Sequence, residues 1–187
     1  GRVCRRHLGA PSGAPFFCSI LRALSRTDSL QDMNDLVTII GRPNVGKSTL
    51  FNRLTETRDA ITDPTAGTTR DRKYGRAEWG GRVFTVIDTG GYSTGTDDAF
   101  EGVIRDQVEI SMEEAGVILF LVDAQTGITD LDLEIVQLVR KSGKPVMLIV
   151  NKIDTGVQEY LTAEFYGLGM GDILHGISAN NGYGTGD

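Results

Sequence analysis

The sequence predicts an α/β protein with a doubly wound, mostly parallel β-sheet and helices on both faces. From Leu36 onward, short apolar runs of strand character alternate with segments of helical periodicity, and this alternation is typical of parallel strands joined by helices. One run, Val117–Val122, is apolar at each position, as expected for a strand buried on both faces. Because ligands of such sheets bind beyond the carboxyl ends of the strands, the residues that directly follow each strand are the candidate site.

Apolar, β-branched runs bounded by turn residues predict the strands of the sheet. Trp79 is expected to lie at a hairpin between two strands. The expected strands are residues 36–40, 82–87, 117–122, 146–150 and about 173–177.

Apolar residues at helical spacing predict the intervening helices. One helix is expected over residues 49–54, directly after the first strand, because its apolar side chains share one face. Another is expected over residues 131–139. For that helix Thr129 or Asp130 is the expected N-cap, and Gly143 lies just past its end.

Composition and charge exclude several classes of protein. A hydrophobic content of 40% and a charged content of 24% indicate a globular domain. The net charge of −6 argues against a stand-alone nucleic-acid-binding protein, so no direct DNA binding is expected. No apolar run approaches the roughly 18 residues of a membrane span. Cys4 and Cys18 lack metal-ligand spacing and suit free thiols in a reducing compartment. A cytoplasmic protein is therefore expected.

The first 32 residues differ from the rest. They carry five arginines and two aspartates, whereas residues 33–187 carry 14 basic and 23 acidic residues. We expect residues 1–32 to be a disordered basic extension outside the domain. Three origins compete: translated upstream sequence or an expression remnant, an organelle transit peptide, or a tail with a partner. A transit peptide would place the protein in an organelle.

The domain is expected over residues 33–187 and incomplete at its C-terminus. A doubly wound sheet normally covers its last strand with a helix. The glycine-rich residues 181–186 follow the last expected strand instead. We therefore expect the chain to be truncated before the last helix.

The residues Gly41–Ser48 fit the phosphate-loop pattern G-x-x-x-x-G-K-[ST], between the first strand and a helix. In such a loop backbone N–H groups surround a phosphate, and the positive end of the helix dipole points at it. Gly41 and Gly46 permit backbone angles that a Cβ would block, and Lys47 is expected to reach the β- and γ-phosphates. A chance glycine-rich turn is the alternative. The predicted phosphate-binding residues are Asn44, Val45, Gly46, Lys47, Ser48 and Thr49.

The segment Asn151–Asp154 predicts the base that is bound. A carboxylate at Asp154 can accept hydrogen bonds from both the ring N–H and the exocyclic amine of guanine, a donor pair that adenine lacks. Asn151 is expected to contact the purine and brace the loop, while the stem of Lys152 packs over the ring. A solvated polar turn is the alternative. The backbone N–H groups expected to meet the guanine carbonyl are those of Ser178, Ala179 and Asn180.

A further set of residues is expected at the terminal phosphate. Asp88 is predicted to bind Mg²⁺ through water, Ser48 to bind it directly, and Thr69 to complete its shell when triphosphate is present. The Gly91 N–H is expected to contact the γ-phosphate, so the following loop would respond to hydrolysis. Lys47, Thr69 and Gly91 form the predicted catalytic set. The expected moving parts are residues 62–72 and 90–99.

Taken in chain order, these elements resemble those of the translation-factor-like bacterial GTPases, a group that includes Era, MnmE and Der. The chain is most similar to the first of the two G domains of the Der (EngA) family of ribosome-assembly GTPases. The residues that carry this resemblance are Gly41–Leu54, Arg70–Gly75 and Asp88–Tyr92.

The resemblance implies a P-loop GTPase domain that binds GTP or GDP with Mg²⁺. It also implies a role in assembly of the large ribosomal subunit, through parts of the protein that lie beyond these residues. An Era- or MnmE-like GTPase with a different RNA partner is the alternative within the group.

Tyr92 stands where many small GTPases have a water-orienting glutamine. A tyrosine cannot position water through a carboxamide, so slow intrinsic hydrolysis is expected. The resemblance implies a remedy, because relatives with an asparagine like Asn44 bind K⁺ beside the phosphates. Asn44 and the backbone carbonyls of residues 63–65 are the candidate K⁺ ligands, and a loop-stabilising role for Asn44 is the alternative.

The expected function is hydrolysis of GTP to GDP and phosphate by water. A guanine-nucleotide-sensing binding or scaffold module with negligible turnover is the hypothesis from a different class. Potassium-dependent hydrolysis would distinguish the enzyme from the module. Asp154 argues against a nucleoside monophosphate kinase or an ATPase.

Overall fold

The computed structural model describes residues 14–27, 35–55, 73–79, 81–89, 108–170 and 174–185. Six strands within these ranges form one sheet in the order β2-β3-β1-β4-β5-β6. The strands are β1 (Leu36–Ile40), β2 (Lys73–Trp79), β3 (Arg82–Asp88), β4 (Val117–Asp123), β5 (Val146–Asn151) and β6 (Leu174–Gly176).

Helices lie on both faces of this sheet. Helix α3 is described over residues 108–114. A 3₁₀ helix, Gly156–Leu168, follows β5. The other helices are α1 (Ala14–Thr27), α2 (Lys47–Thr55) and α4 (Asp130–Ser142).

Strand pairing confirms the predicted mostly parallel sheet. Strand β1 pairs in parallel with β3 and β4, and β5 pairs in parallel with β4 and β6. Strand β2 alone among these six is antiparallel, and it forms a hairpin with β3 in which Trp79 opposes Arg82. The carboxyl ends of β1, β3, β4 and β5 therefore meet at one edge of the sheet, where the predicted site residues lie.

The apolar pattern of β4 explains the two-layered core. All seven of its residues are buried. Val117, Leu119 and Leu121 pack in the cluster that contains α1 and α2, whereas Ile118 and Phe120 pack in the cluster that contains α3 and α4. A strand covered on both faces has no solvent-facing position, so the sequence shows no polar alternation.

Helix α4 begins and ends as its sequence predicts. Thr129 is the N-cap, and its hydroxyl and the Asp132 side chain form a capping box. Gly143, at φ 65°, takes the left-handed conformation just past the end. These caps satisfy terminal backbone groups and fix the position of the first turn of α4, which borders the candidate site.

The expectation of disorder over residues 1–32 is wrong for residues 14–27, which form α1. Phe16, Ile20 and Leu24 are at most 1% exposed and join the core cluster beside α2. Phe16 also packs edge-to-face on His175 of β6, with ring centroids 5.5 Å apart. The arginines and breakers of the segment suggest disorder, but apolar residues at i, i+4 and i+8 form a buried helical stripe. The boundary between residues 32 and 33 stays a prediction.

We expect the substitution Leu24→Ala to lower the free energy of unfolding by about 2–5 kcal/mol, because it removes a fully buried side chain and leaves a cavity. Urea denaturation followed by circular dichroism measures the change. Arg22→Ala on the exposed face of the same helix is the matched control and should change stability by less than about 0.5 kcal/mol. Equal stability of the two variants would show that α1 does not contribute to the core.

Candidate functional site

The glycine loop connects β1 to α2 in a conformation that only small residues allow. Gly41 has φ 153° and Gly46 has φ 100°. A Cβ on Gly41 would collide with the backbone carbonyl of Leu121, and one on Gly46 would collide with the side-chain amide of Asn151. The loop is therefore pressed against the ends of β4 and β5, and its glycines are required by close approach as well as by φ.

Lys47 closes this loop on itself. Its Nζ donates to the carbonyl oxygens of Gly41 at 2.9 Å and Arg42 at 2.8 Å. Burial lowers the pKa of Lys47 to about 8, although the nearby Asp88 carboxylate acts in the opposite direction. The predicted phosphate-binding cation thus lies inside the loop, held by groups that an anion could replace.

Asp88 lies at the carboxyl end of β3, fully buried and in register with Ile39 of β1. The adjacent Thr89 hydroxyl donates to the Ile39 carbonyl at 2.8 Å, which ties this strand end to the start of the loop. Ser48 is exposed in the first turn of α2. A hydroxyl and a carboxylate are hard oxygen donors of the kind that Mg²⁺ prefers, so these two residues fit the predicted magnesium site.

Thr69 and Gly91 lie outside the described residues, as does Tyr92. The expected moving loops, residues 62–72 and 90–99, lie there too. Their predicted roles at the terminal phosphate stay predictions.

Asn151 joins three segments of the site. It ends β5 and is 3% exposed. Its Nδ2 donates to the Val45 carbonyl in the glycine loop at 2.7 Å, and its Oδ1 accepts from the Ala179 N–H at 2.9 Å. One side chain therefore sets the distance between the phosphate loop and the loop that follows β6.

Asp154 is held with its carboxylate toward the loop after β6. Its Oδ1 accepts a hydrogen bond from the Ser178 hydroxyl at 2.7 Å. Asn181 donates to the Asp154 carbonyl at 3.0 Å, and the Asp154 N–H donates to Gln158 at 2.8 Å. The side chain is exposed, so the predicted base selector is oriented by the protein and accessible to a ligand.

The segment Ser178–Asn180 is held from both sides. The Ser178 N–H donates to Tyr183 O at 2.8 Å, and the Ala179 N–H donates to Asn151. A purine carbonyl at this segment would therefore be met by the Asn180 N–H or by the Ala179 N–H shared with Asn151.

Two further residues shape the site and escaped the sequence-based prediction. Arg53 of α2 donates to the carbonyls of Ala179 at 2.8 Å and Asn180 at 3.0 Å. Asp123 ends β4 and forms an ion pair with Lys152 at 2.6 Å. Asp123 follows an apolar run directly, which was its available sequence signal, whereas no local pattern identifies Arg53.

The structure thus brings together the predicted phosphate loop, Asp88 and the base-binding loops at one edge of the sheet. None of the described helices is long and apolar enough to cross a membrane.

Three features together define the class of P-loop GTPases. The lysine of the phosphate loop bonds to carbonyls of that loop, a buried aspartate ends the neighbouring strand, and an asparagine links the phosphate loop to the segment that carries an oriented carboxylate. The chain belongs to the family described as the 50S ribosome-binding GTPase, whose model matches residues 36–152.

Curated relatives narrow this assignment. The chain is 58% identical over 155 residues to the GTPase Der of Cytophaga hutchinsonii, covering 83% of this chain and 35% of that protein. It is 56% identical over 155 residues to the GTPase Der of Bacteroides thetaiotaomicron, with the same coverage. The chain spans about a third of the length of these relatives. The predicted resemblance to Der is confirmed.

A solved structure supports the same class. A variant of Aquifex aeolicus Era bound to GDP·AlF4⁻ matches with a TM-score of 0.63 and 35% identity, over 79% of this chain and 52% of that chain.

We expect nucleotide binding to take up a proton above pH 8. The lowered pKa of Lys47 means that the nucleotide-free protein loses this proton as the pH rises through about 8. Phosphates favour the ammonium form, so the affinity for GDP should fall by up to about tenfold per pH unit above that value. Calorimetry at pH 7.5 and 8.5, in buffers of different ionisation enthalpy, measures the uptake.

Lys47→Met is the control for this experiment, because it removes the ammonium and leaves any ionisation of the nucleotide itself unchanged. Equal proton uptake by the two proteins at pH 8.5 would assign the effect to another group.

The same shift affects folding: Lys47 binds its proton less tightly in the folded than in the unfolded chain, so its contribution to stability rises between pH 8 and 10.5 and is lost as the pH falls through 8.

Proposed function

We propose that this chain binds GTP and hydrolyses it to GDP and phosphate by attack of water. The observation that carries the proposal is the orientation of Asp154 by Ser178, on a loop that Asn151 connects to the phosphate loop. A carboxylate in this position accepts hydrogen bonds from the two guanine donors. A nucleotide that spans from the glycine loop to Asp154 is therefore selected by its base and anchored by its phosphates.

The phosphate end uses backbone groups and one cation. The N–H groups of the loop and the first turn of α2 provide a positive field, and Lys47 would exchange its two loop carbonyls for phosphate oxygens. Ser48 and Asp88 are the proposed ligands of Mg²⁺, which neutralises phosphate charge when it is bound. These residues fix the phosphates and stabilise the charge of the transition state.

The proposed catalytic set is Lys47, Thr69 and Gly91. The exposed Asn44, at φ 64°, lies in the phosphate loop and is the proposed K⁺ ligand. A monovalent cation there would offset charge that develops between the β- and γ-phosphates. Tyr92, which follows Gly91, has no amide to orient the attacking water. The proposed cation would offset this loss by stabilising charge on the phosphates.

The proposed partner is the large ribosomal subunit. The family description refers to 50S binding, which carries this proposal. One structural match with a TM-score of 0.63 is Era in complex with MgGDPNP and a segment of 16S ribosomal RNA. Because 16S RNA belongs to the small subunit, that match supports association with ribosomal RNA in general and corresponds to the Era-like alternative. Because the chain spans 35% of its relative's length, contact with the ribosome is proposed through other parts of the protein. An acidic domain suits the role of nucleotide switch better than that of RNA platform. We propose a cytoplasmic location.

The first test is a fluorescence titration of the purified chain with labelled GDP and labelled ADP in Mg²⁺ and K⁺. At least a roughly 100-fold preference for GDP, about 2.7 kcal/mol, supports the assignment. Equal affinity for both nucleotides would remove the guanine-specific function. A preference for GDP without GTP turnover would instead identify a nucleotide-sensing module.

We expect Asp154→Asn to weaken GDP binding by about 100-fold or more and to leave the weak ADP binding unchanged, because an acceptor pair facing guanine is lost. The same titration measures both affinities. Glu134→Gln is the matched control, since it removes one negative charge from an exposed position on α4. Unchanged GDP affinity of Asp154→Asn would exclude this carboxylate as the base selector.

We expect GTP turnover to be at least about tenfold faster in K⁺ than in Na⁺ at equal ionic strength, because the ion is proposed to stabilise charge on the transferring phosphoryl group. Phosphate release under saturating GTP measures the rates. The substitution Asn44→Ala should remove the difference while GDP affinity changes little. A K⁺ effect that survives the substitution would place the ion elsewhere.

A further inference from the structure

Two buried carboxylates lie beside the site and have no part in the function proposed so far. Asp123 is 2% exposed at the carboxyl end of β4, and Asp132 is fully buried in the first turn of α4. Burying a carboxylate costs several kcal/mol unless it is paired and hydrogen-bonded. Their partners therefore show what the burial accomplishes.

Each carboxylate accepts hydrogen bonds from residues close to it in the chain, in addition to its ion pairs. The Gln125 N–H donates to Asp123 Oδ1 at 2.9 Å, and the Thr126 hydroxyl donates to Oδ2 at 3.2 Å. The Asp132 Oδ2 accepts from the N–H and hydroxyl of Thr129, at 3.0 and 2.8 Å. Both anions are thus hydrogen-bonded within the turns at the ends of core elements.

The cations that face them come from the two nucleotide-binding loops. Lys152 of the base loop places Nζ 2.6 Å from Asp123 Oδ2. Arg42 of the phosphate loop places Nε 3.4 Å from Asp132 Oδ2 and Nη2 3.8 Å from Asp123 Oδ2. The cluster of these four residues balances two positive and two negative charges.

Asp123 lies closer to Lys152 than to Arg42. Burial alone would raise the pKa of Asp123, but hydrogen bonds from Lys152, Gln125 and Thr126 outweigh it, and the pKa lies below its ordinary value. Arg42 makes ion pairs in which Nε and Nη2 lack aligned hydrogen bonds. Asp123 therefore stays ionised and holds Lys152 firmly, whereas Arg42 is held loosely between both anions.

The ion pair with Asp123 restrains Lys152, a residue whose backbone is strained and whose side chain is partly exposed. It has φ 69°, a left-handed conformation that costs a non-glycine residue on the order of 1 kcal/mol. Its side chain is 35% exposed, so its end would be mobile without a partner. The ion pair with Asp123 holds the end of the side chain and thereby sets the direction of its stem.

We propose that Asp123 is a positioning residue for the guanine site, which holds the stem of Lys152 where it covers the purine and couples this loop to the phosphate loop through Arg42. This inference rests on the proposed function, since it assumes that Lys152 packs on the base. Asp123 itself does not contact the nucleotide.

A double-mutant cycle separates this role from a merely structural one. GDP affinity is measured for the wild-type chain, Asp123→Asn, Lys152→Met and the double variant. If Asp123 acts through Lys152, Asp123→Asn weakens GDP binding about tenfold or more in the wild-type background and less than about twofold in the Lys152→Met background. Equal losses in both backgrounds, or no loss in either, would overturn the proposal.

The matched control is Asp130→Asn, which removes one negative charge from an exposed position in the first turn of α4 outside the cluster. Its GDP affinity should equal that of the wild-type chain. A loss as large as that of Asp123→Asn would mean that net charge near this edge, and not the position of Lys152, sets the affinity.

Asp123→Asn leaves two cations less well balanced, so its fold is checked by thermal denaturation. If it does not fold, Thr126→Ala takes its place in the cycle, because it removes one hydrogen bond to Asp123 Oδ2 and leaves the charges in place. The expected result is a two- to fivefold rise in KM for GTP with unchanged kcat, absent in the Lys152→Met background. A fall in kcat, or a change that persists in that background, would contradict the proposal.

The wild-type titration distinguishes the two possible failures. A wild-type chain that does not prefer GDP over ADP overturns the proposed function. A wild-type chain that prefers GDP, together with an Asp123→Asn variant of the same affinity, overturns the positioning role alone.

Discussion

The carboxamide of Asn151 is the contact on which the rest of the site depends. It reaches from the end of β5 to the Val45 carbonyl in the phosphate loop and to the Ala179 N–H after β6. An amide is suited to this place because it donates from one atom and accepts at the other without carrying a charge into the core. The proposed phosphate-binding and base-binding halves of the site are therefore held at one separation, set by a side chain of constant length.

The parallel sheet brings these groups together by register. Ile39 opposes Asp88, and Asp123 opposes Asn151, so the chemically important residues of neighbouring strands lie side by side at their carboxyl ends. Strands β4 and β5 are apolar and buried along almost their whole length. Burial on both faces fixes the register because a slip would move polar side chains into the core. The precision of the site thus follows from the packing of residues that never touch a ligand.

Sequence patterns predict most of this fold and the local parts of the site. The strand runs, the caps of α4 and the glycine loop are encoded by residues close together in the chain, where periodicity and backbone preference act. The ion pairs of Asp123 and the contacts of Arg53 with residues 179–180 join segments far apart in sequence. No pattern within a short stretch of the sequence therefore predicts them. Helix α1 was mispredicted for a related reason, because its apolar stripe is informative only once the sheet face that it covers is known.

The internal hydrogen bonds of Lys47 have a consequence for how a ligand enters. The ammonium holds two carbonyl oxygens of its own loop, so these oxygens compete with an anion for it. Occupation is then an exchange of partners, and the net gain at this end is the difference between charge-assisted hydrogen bonds to phosphate and the hydrogen bonds to neutral carbonyls that they replace. The cation of the loop thus has hydrogen-bond partners within the loop itself. An anion that enters must therefore displace these carbonyls, so the strength of binding at this end depends on how much better the anion serves the ammonium than the loop does.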